Sequence, residues 1–342
     1  MATPMGQWEY NRTITFKTQW AKLAYPTASY TGQTIIITGA NSGVGLEAAR
    51  HIVRLGAAKV ILAVRDVSKG EAAAADIITS TKTTKNVTEV WPLDLTRLQS
   101  IHEFTAKVKK LERVDAVLQN AGLATGIYKT TDTGEEASIA TNAIRPILLA
   151  LLLLPKLRET ANKYNIRTRL AFTGSESYFW AQLGEANIPG PLLDALNDEQ
   201  VFKTNVNDRY PSSKLLQFHA VREFAARSPI TPASNVIITT VTPGLCWTGL
   251  SREIPWFAYP FFFMVMLIFA RTAEVGSRAL VDALKADLGT EAHGAFLMDC
   301  EPLEKLGQSV ENEKGQALAK KFTSELFERL ERISPGVTRV LD

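Results

Sequence analysis

The sequence predicts an α/β protein built on a doubly wound parallel sheet, and three observations lead to that prediction. The stretch from Thr34 to Val64 reads as a strand, a glycine-rich turn, a helix and a second strand. Short apolar strands then alternate with helical segments along most of the chain, which is typical of a parallel sheet. Polar motifs follow directly after several strands, at the edge of the sheet where such folds bind ligands.

The first strand–turn–helix–strand unit predicts nucleotide binding. Thr34–Thr38 is a β-branched run, apolar residues recur at helical spacing from Leu46 to Leu55, and Lys59–Val64 is a second apolar strand. The turn between them, GANSGVG, begins at Gly39. Its glycines allow backbone N–H groups to approach a pyrophosphate at the helix N-terminus, where the helix dipole favours anions. A turn that merely packs is the other interpretation, but the complete unit favours nucleotide binding.

The glycine spacing and the motifs that follow it resemble the short-chain dehydrogenase/reductase family, from about Thr31 to Cys300. With Thr38 the turn reads T-G-x-x-x-G-x-G, and LDL, NAG, TNAIRP, FTGSES, YPSSK and VTPGLCWTGL follow in the family's order. The resemblance implies a Rossmann-type fold in a single domain. The opening arm is most similar to fungal members that act in secondary metabolism.

The resemblance also implies which residues contact a nicotinamide cofactor, because the family places these contacts just after the strands. The residues at those positions are Thr38, Gly39, Asn41, Ser42, Gly43, Val44, Gly45, Arg65, Asp94, Leu95, Asn120, Ala121, Gly122, Tyr210, Lys214, Pro243, Gly244 and Thr248.

The end of the second strand bears on the choice of cofactor. An acidic residue there would bind the ribose 2′-hydroxyl of NAD, but the position holds Val64, and Arg65 follows it. A guanidinium suits a 2′-phosphate. We therefore predict NADP(H) rather than NAD(H). Asp66 could pair with Arg65 or cap the next helix.

A tyrosine and a lysine lie one helical turn apart at Tyr210 and Lys214. By resemblance, Tyr210 is the general acid/base, Lys214 lowers the tyrosine pKa and holds the nicotinamide ribose, and Ser175 hydrogen-bonds the reacting oxygen. Positive charge near the phenol favours the phenolate. Ser177 is the other candidate serine in FTGSES, and the family alignment favours Ser175.

Asn142 matches the asparagine whose backbone carbonyl holds a water in the family's proton relay. Pro146 follows, and proline lacks the N–H that would otherwise bond that carbonyl. Pro146 could instead start the next helix, in which it would be favoured at the first turn. Both interpretations place Asn142 at a helix end. The apolar run Ile147–Leu157 is predicted to be a buried helix, which related enzymes often use for dimer contacts.

An apolar segment, Ile254–Ala270, follows the last cofactor motif. Three interpretations remain open: a mobile lid that lines the substrate pocket (about 249–271), a core helix, or peripheral contact with a membrane. Trp256, Phe257, Tyr259, Phe261, Phe262 and Phe263 make the segment strongly aromatic. A lid this apolar suits a bulky hydrophobic substrate, such as a polyketide, terpenoid or steroid-like ketone. The insertion before Tyr210, beginning at Gly184, is predicted to border the same pocket.

Composition narrows the remaining function classes. The formal net charge of +3 comes without a long basic run, so no nucleic-acid partner is expected. Two distant cysteines and an N-terminus without an apolar signal segment favour a cytoplasmic protein. The four histidines form no metal pattern, and we predict no metal site.

The predicted organisation is an arm (1–30), a dinucleotide-binding and catalytic domain (31–305) and a helical extension (306–342), with an amphipathic stretch at Gln316–Ile333. Two function classes fit it: an NADP-dependent carbonyl/alcohol oxidoreductase, and a nucleotide-binding regulator that has lost catalysis. The set Asn142, Ser175, Tyr210 and Lys214 is intact, which favours the enzyme. Enoyl reduction, imine reduction and epimerisation remain alternatives within the family.

Overall fold

The computed structural model describes residues 19–83, 87–249 and 259–342, without the side chains of 259–262 and 265. The described strands form one sheet in the order β3-β2-β1-β4-β5-β6-β7-β8. Their bounds are β1 Thr34–Thr38, β2 Lys59–Val64, β3 Thr88–Pro92, β4 Ala116–Gln119, β5 Thr168–Thr173, β6 Val236–Val241, β7 Phe296–Met298 and β8 Glu301–Pro302. The first seven strands run parallel, which confirms the predicted sheet, and only β8 is antiparallel. The sequence analysis did not predict that final hairpin.

Helices cover both faces of the sheet. Their bounds are α1 Gly43–Arg54, α2 Val67–Thr81, α3 Leu98–Val108, α4 Arg145–Tyr164, α5 Leu192–Asn197, α6 Glu199–Asn205, α7 Arg209–Arg227, α8 Tyr259–Phe269, α9 Ala273–Asp282, α10 Gln308–Glu311 and α11 Glu313–Ile333. Apolar side chains of α1 and α9 pack on one face, and those of α4 and α7 pack on the other. Strands β1, β5 and β6 are buried along their whole length, as expected for central strands covered on both sides.

The buried helix predicted at Ile147–Leu157 is confirmed as the middle of α4. The helical stretch that contains it, Ala137–Tyr164, is apolar enough to cross a membrane by length and composition, but almost all of it is buried inside the protein. The placement of Asn142 at a helix end was wrong. Residues 140–144 form a π-helical turn that runs directly into α4, so Asn142 lies within the continuous helical stretch and Pro146 lies in the first turn of α4.

The chain's own C-terminal segment covers part of α4 and α7. Helix α11 confirms the amphipathic stretch predicted at Gln316–Ile333, and its buried Phe322, Leu326 and Leu330 belong to the same apolar cluster as the leucines of α4. Arg158 of α4 donates to the Val340 carbonyl at 2.7 Å. The side of α4 proposed for dimer contacts is thus at least partly occupied within one chain, and the homodimer remains a prediction.

The apolar segment after the last cofactor motif is described only in part. Pro255, Trp256 and Phe257 lie outside the described residues, as do the side chains of Tyr259, Phe261 and Phe262. Within α8, Met266 is buried, whereas Phe263, Met264, Leu267 and Ile268 are all exposed. A fully packed core helix would bury these side chains, so the core interpretation was wrong for α8.

Candidate active site

The motif residues lie at the carboxyl ends of the parallel strands, where neighbouring chain segments meet. The direction in which the chain moves across the sheet reverses between β1 and β4. After β1 the chain adds β2 and β3 on one side, and after β4 it adds β5, β6 and β7 on the other side. This is the point at which open α/β sheets form a ligand crevice. The turn after β1 and the loop after β4 therefore define the centre of the site.

The turn after β1 leads directly into the N-terminus of α1. Gly39 and Gly43 adopt positive φ angles of 66° and 59°, which side chains rarely tolerate. A Cβ on Gly45 would come within 2.3 Å of the Asn120 amide nitrogen, so only glycine fits beneath that side chain. The first turn of α1 contains no acidic residue. This geometry fits a pyrophosphate at the helix N-terminus.

Thr38 ties the turn after β1 to the loop after β4. Its hydroxyl oxygen accepts hydrogen bonds from the backbone N–H groups of Asn120 and Ala121, both at 2.9 Å. The Asn120 side chain in turn donates to the Thr38 carbonyl at 3.0 Å and to the Gly39 carbonyl at 3.3 Å. Four residues predicted to bind the cofactor, Thr38, Gly39, Asn120 and Ala121, thus hold each other in place.

The flanks of the same turn carry the remaining residues of the predicted glycine motif. Val44 packs against the apolar cluster beneath α1, and Ser42 is its N-cap residue. Thr248 reaches the turn from the loop after β6, since a Cβ on Gly43 would lie 3.3 Å from the Thr248 methyl. Asn41 lies in the turn and is half-buried.

The end of β2 presents Arg65 to solvent, where a 2′-phosphate could reach it. Asp66 caps α2 by accepting from the Lys69 backbone N–H at 3.1 Å. Of the two roles left open for Asp66, the structure shows the capping role.

Asp94 and Leu95 follow β3 as predicted. The Asp94 carboxylate folds back onto Thr96, accepting from its backbone N–H at 2.9 Å and from its hydroxyl at 2.7 Å. Leu95 is buried in the core. Arg65 and Asp94 thus follow β2 and β3 on one side of β1 in the strand order, whereas Ser175 and its neighbour Tyr210 lie near β5 on the other side.

Tyr210 lies in the first turn of α7, and its phenol lies beside the Ser175 side chain, which follows the end of β5. Burial raises the pKa of Tyr210 to about 12, the Ser175 contact opposes that rise, and nearby Glu176 adds to it. The pairing supports Ser175 over Ser177, which is hydrogen-bonded to Ser175 only through its backbone N–H at 3.2 Å.

Lys214 lies one turn along α7, with its ammonium nitrogen 5.9 Å from the centroid of the Tyr210 ring. Its Nζ donates to the Thr173 carbonyl at 2.8 Å and to Gln217 Oε1 at 3.2 Å. Burial lowers the pKa of Lys214 to about 7. The expected lowering of the Tyr210 pKa by Lys214 is therefore not seen in the protein alone, where burial of the phenol dominates.

Asn142 connects the loop after β4 with α7, the helix that carries Tyr210. Its side chain accepts from the Leu123 backbone N–H at 2.8 Å and donates to the Leu123 carbonyl at 2.7 Å and to Ser213 Oγ at 2.9 Å. Gly122 lies beside it, where a Cβ would approach Asn142 Oδ1 at 3.4 Å and Lys214 Nζ at 3.9 Å. Asn142, Gly122 and Lys214 are therefore immediate neighbours in the site.

The turn after β6 brings Pro243 and Gly244 to the same edge. The Gly244 φ angle is 77°, and its backbone N–H donates to Thr242 Oγ1 at 3.1 Å. Arg271 donates to the Pro243 carbonyl at 3.3 Å and forms an ion pair with Asp299 at 2.9 Å. The turn is thereby supported from the segment that follows α8.

Two polar residues that the sequence analysis did not assign lie in this site. Glu176, directly after Ser175, is buried, and its burial raises its pKa to about 7 while Arg271 opposes that rise. Gln19 from the N-terminal arm donates to Glu176 Oε2 at 3.4 Å. The acidic residue beside Ser175 was visible in FTGSES, whereas no local signal marked Gln19.

The insertion before Tyr210 is fixed to the start of α7. Arg209 and Glu185 form an ion pair at 3.1 Å in which both side chains are 1% exposed. Asp208 accepts hydrogen bonds from the backbone N–H groups of Gln182 and Leu183. These contacts determine where the helix that carries Tyr210 begins.

The described residues therefore combine a glycine turn suited to a pyrophosphate with an adjacent Ser175–Tyr210 pair and a buried lysine. They contain no group of three or more metal-ligating side chains that could hold an ion. Proton transfer between Tyr210 and a bound oxygen is the chemistry that this arrangement can perform.

Comparisons with known proteins agree with this geometry. A family model described as short chain dehydrogenase matches residues 33–167. A short chain dehydrogenase/reductase of Cryptosporiopsis sp. is 40% identical over 318 residues, which cover 92% of this chain and 96% of that protein. A short chain dehydrogenase of Emericella nidulans is 43% identical over 289 residues, covering 83% of this chain and 89% of that protein. The crystal structure of an uncharacterized protein from Mycobacterium Paratuberculosis is 26% identical with a TM-score of 0.62, covering 90% of this chain and 96% of that one.

Proposed function

The chain belongs to the short-chain dehydrogenase/reductase family, whose members are oxidoreductases that use nicotinamide cofactors, and we propose that it interconverts a ketone or aldehyde and an alcohol with NADP(H). The observation that carries this proposal is the placement of the Tyr210 phenol beside Ser175, with the Lys214 ammonium nitrogen 5.9 Å from the centroid of the Tyr210 ring. The proposed substrate is bulky and hydrophobic, and the similarity to fungal family members favours a secondary metabolite.

In this proposal the bound cofactor supplies or accepts the hydride, and the chain handles the proton. Ser175 donates a hydrogen bond to the carbonyl oxygen, and Tyr210 gives that oxygen its proton during reduction. Because burial keeps the pKa of Tyr210 at about 12, the phenol holds its proton at neutral pH and is ready to act as an acid. Lys214 is placed to hold the nicotinamide ribose and to favour the phenolate that remains.

The glycine turn and Arg65 support the NADP(H) assignment. The turn fits the pyrophosphate, and the exposed guanidinium at the end of β2 suits a 2′-phosphate. The Asp66 carboxylate caps α2 by accepting from the Lys69 backbone N–H, which is the alternative to pairing with Arg65.

We predict that Arg65→Ala weakens NADPH binding much more than NADH binding. A charge-assisted contact contributes about 1.5–3 kcal/mol, so the preference for NADPH should fall by roughly ten- to a hundredfold. Titration of both cofactors into both proteins by calorimetry measures it. Arg332→Ala, on the exposed side of α11, is the matched control. Equal losses for the two cofactors would show that Arg65 does not select between them.

The hydrophobic substrate is supported by aromatic and aliphatic side chains around α8. Trp247 and Phe263 meet edge to face with ring centroids 5.5 Å apart, and Trp20 of the arm meets Phe269 at 6.4 Å. Phe263 and Leu267 are 46% and 68% exposed. An exposed apolar helix beside the site fits either a lid over an apolar substrate or contact with a membrane.

We predict that Trp256→Ala and Phe257→Ala raise KM for a hydrophobic ketone and leave NADPH binding intact, because each change removes apolar contact worth up to about 3 kcal/mol. If the segment contacts a membrane, the same substitutions should instead lower partition of the protein onto liposomes and leave turnover of a soluble ketone unchanged. Leu267→Ser, on the exposed side of α8, is the companion variant, measured for KM, liposome partition and melting temperature. An unchanged KM in all three variants would end the lid hypothesis.

A further inference from the structure

Two buried oxygens from distant parts of the chain lie together beside the turn after β6. They are Gln19 Oε1 in the arm and Glu176 Oε1 after β5, and neither has a hydrogen-bond partner among the described residues. The hydrogen bond from Gln19 Nε2 to Glu176 Oε2 joins the two side chains. Leaving a buried polar atom unpaired is costly, so two such acceptors at one place indicate a donor that arrives with a ligand.

The position of this pair identifies the part of the ligand it would meet. A Cβ on Gly244 would come within 3.1 Å of Gln19 Nε2 and 3.3 Å of Gln19 Oε1, so the arm amide lies directly against this turn. Glu176 directly follows Ser175, and its charge acts on Tyr210. The pair thus lies between the Gly244 turn and the Ser175–Tyr210 pair, at the end of the crevice opposite Arg65.

We propose that Gln19 and Glu176 accept hydrogen bonds from the carboxamide NH2 of the nicotinamide ring, which makes the arm part of the cofactor site. The proposal rests on the proposed function, because that function puts the nicotinamide between Tyr210 and Gly244. The chemistry matches: the pair offers two acceptor oxygens, and a primary amide offers two N–H donors.

The test compares NADP+ with its 3-acetylpyridine analogue, in which a methyl group replaces the carboxamide NH2. Calorimetric titration gives the affinity of each nucleotide without any turnover. We expect the wild-type protein to bind NADP+ roughly three- to tenfold more tightly than the analogue, the size of an ordinary hydrogen-bond contribution. Gln19→Leu and Glu176→Leu should each remove most of that preference by weakening NADP+ binding alone. Glu176→Gln should keep it, because the amide oxygen still accepts.

Gln182→Leu is the matched control, since this exposed glutamine is held only through its backbone. If the wild-type protein binds both nucleotides equally, or if Gln19→Leu keeps the full preference, the proposal is wrong. Tighter NADP+ binding in Gln19→Leu would also overturn it, by showing that the arm competes with the cofactor. If Glu176→Leu lowers the melting temperature of the protein, the nucleotide affinities of Gln19→Leu alone test the proposal. Failure of the wild-type protein to bind either NADP+ or NAD+ would instead refute the proposed function.

Discussion

Tyr210→Phe is expected to lower kcat for ketone reduction by about 10²- to 10⁴-fold, the usual contribution of a positioned general acid. The substitution removes the phenolic hydroxyl and its contact with Ser175 but keeps the aromatic ring. Because no part of the glycine turn is touched, NADPH affinity should change little. Single-turnover reduction of a hydrophobic aromatic ketone, followed by NADPH fluorescence, measures the chemical step, and a titration measures the affinity.

Tyr164→Phe is the matched control for this change. Its phenol donates a hydrogen bond to Glu112 at 2.9 Å, but it lies at the far end of α4 from the site. That variant should reduce the ketone at the wild-type rate. If Tyr210→Phe kept near-wild-type turnover, Tyr210 could not be the proton donor. Wild-type protein that binds NADPH but reduces no carbonyl compound would favour the non-catalytic regulator or another redox step of the family.

The sheet could be predicted from the sequence because each central strand is buried on both faces. β1 and β2 occupy the predicted residues, Thr34–Thr38 and Lys59–Val64, since continuous β-branched and aliphatic runs have few other places in a soluble fold. The pairing of β8 could not be predicted, because two residues carry no periodic pattern.

The candidate site likewise contains residues that the sequence could place and residues that it could not. Lys214 could be placed beside Tyr210 because positions i and i+4 share a helical face. The placement of Asn142 failed because a π-helical turn, which joins it to α4 without a break, has no periodic signature in sequence. Gln19 could not be connected with Glu176, since 157 positions separate them and only the path of the arm brings them together.

The protonation states of Tyr210 and Lys214 likewise depend on burial, which cannot be deduced from the spacing of residues in the sequence. Burial moves the two pKa values in opposite directions, to about 12 for the phenol and about 7 for the ammonium. The pair therefore loses its first proton near neutral pH, and the bound cofactor influences which side chain gives it up. A positive nicotinamide favours the state with a phenolate and an ammonium, which is the state that oxidises an alcohol.

The Lys214→Met substitution should separate the effect of the Lys214 charge on the phenol from the effect of the positive nicotinamide. Without the lysine, the only proton of the pair belongs to a buried phenol, so alcohol oxidation should require a higher pH. A unit charge about 6 Å away contributes about 3 kcal/mol at an effective dielectric constant of about 20, which corresponds to about two pH units. We therefore expect the rising limb of kcat for oxidation to move up by about two pH units and kcat at neutral pH to fall by about a hundredfold. Reduction, which needs the neutral phenol, should lose less at neutral pH than oxidation does.

The measurement is a pair of pH–rate profiles with NADP+ and an alcohol, and with NADPH and the ketone. Lys214→Arg keeps a charge but changes its shape and should retain part of the neutral-pH oxidation rate. Lys320→Met, on the exposed side of α11, is the matched control and should leave both profiles in place. A Lys214→Met enzyme that loses rate equally at every pH, with an unmoved limb, would show that the lysine only positions the ribose. In that case the charge that favours the phenolate would have to come from the nicotinamide alone, since burial and Glu176 both oppose ionisation of the phenol.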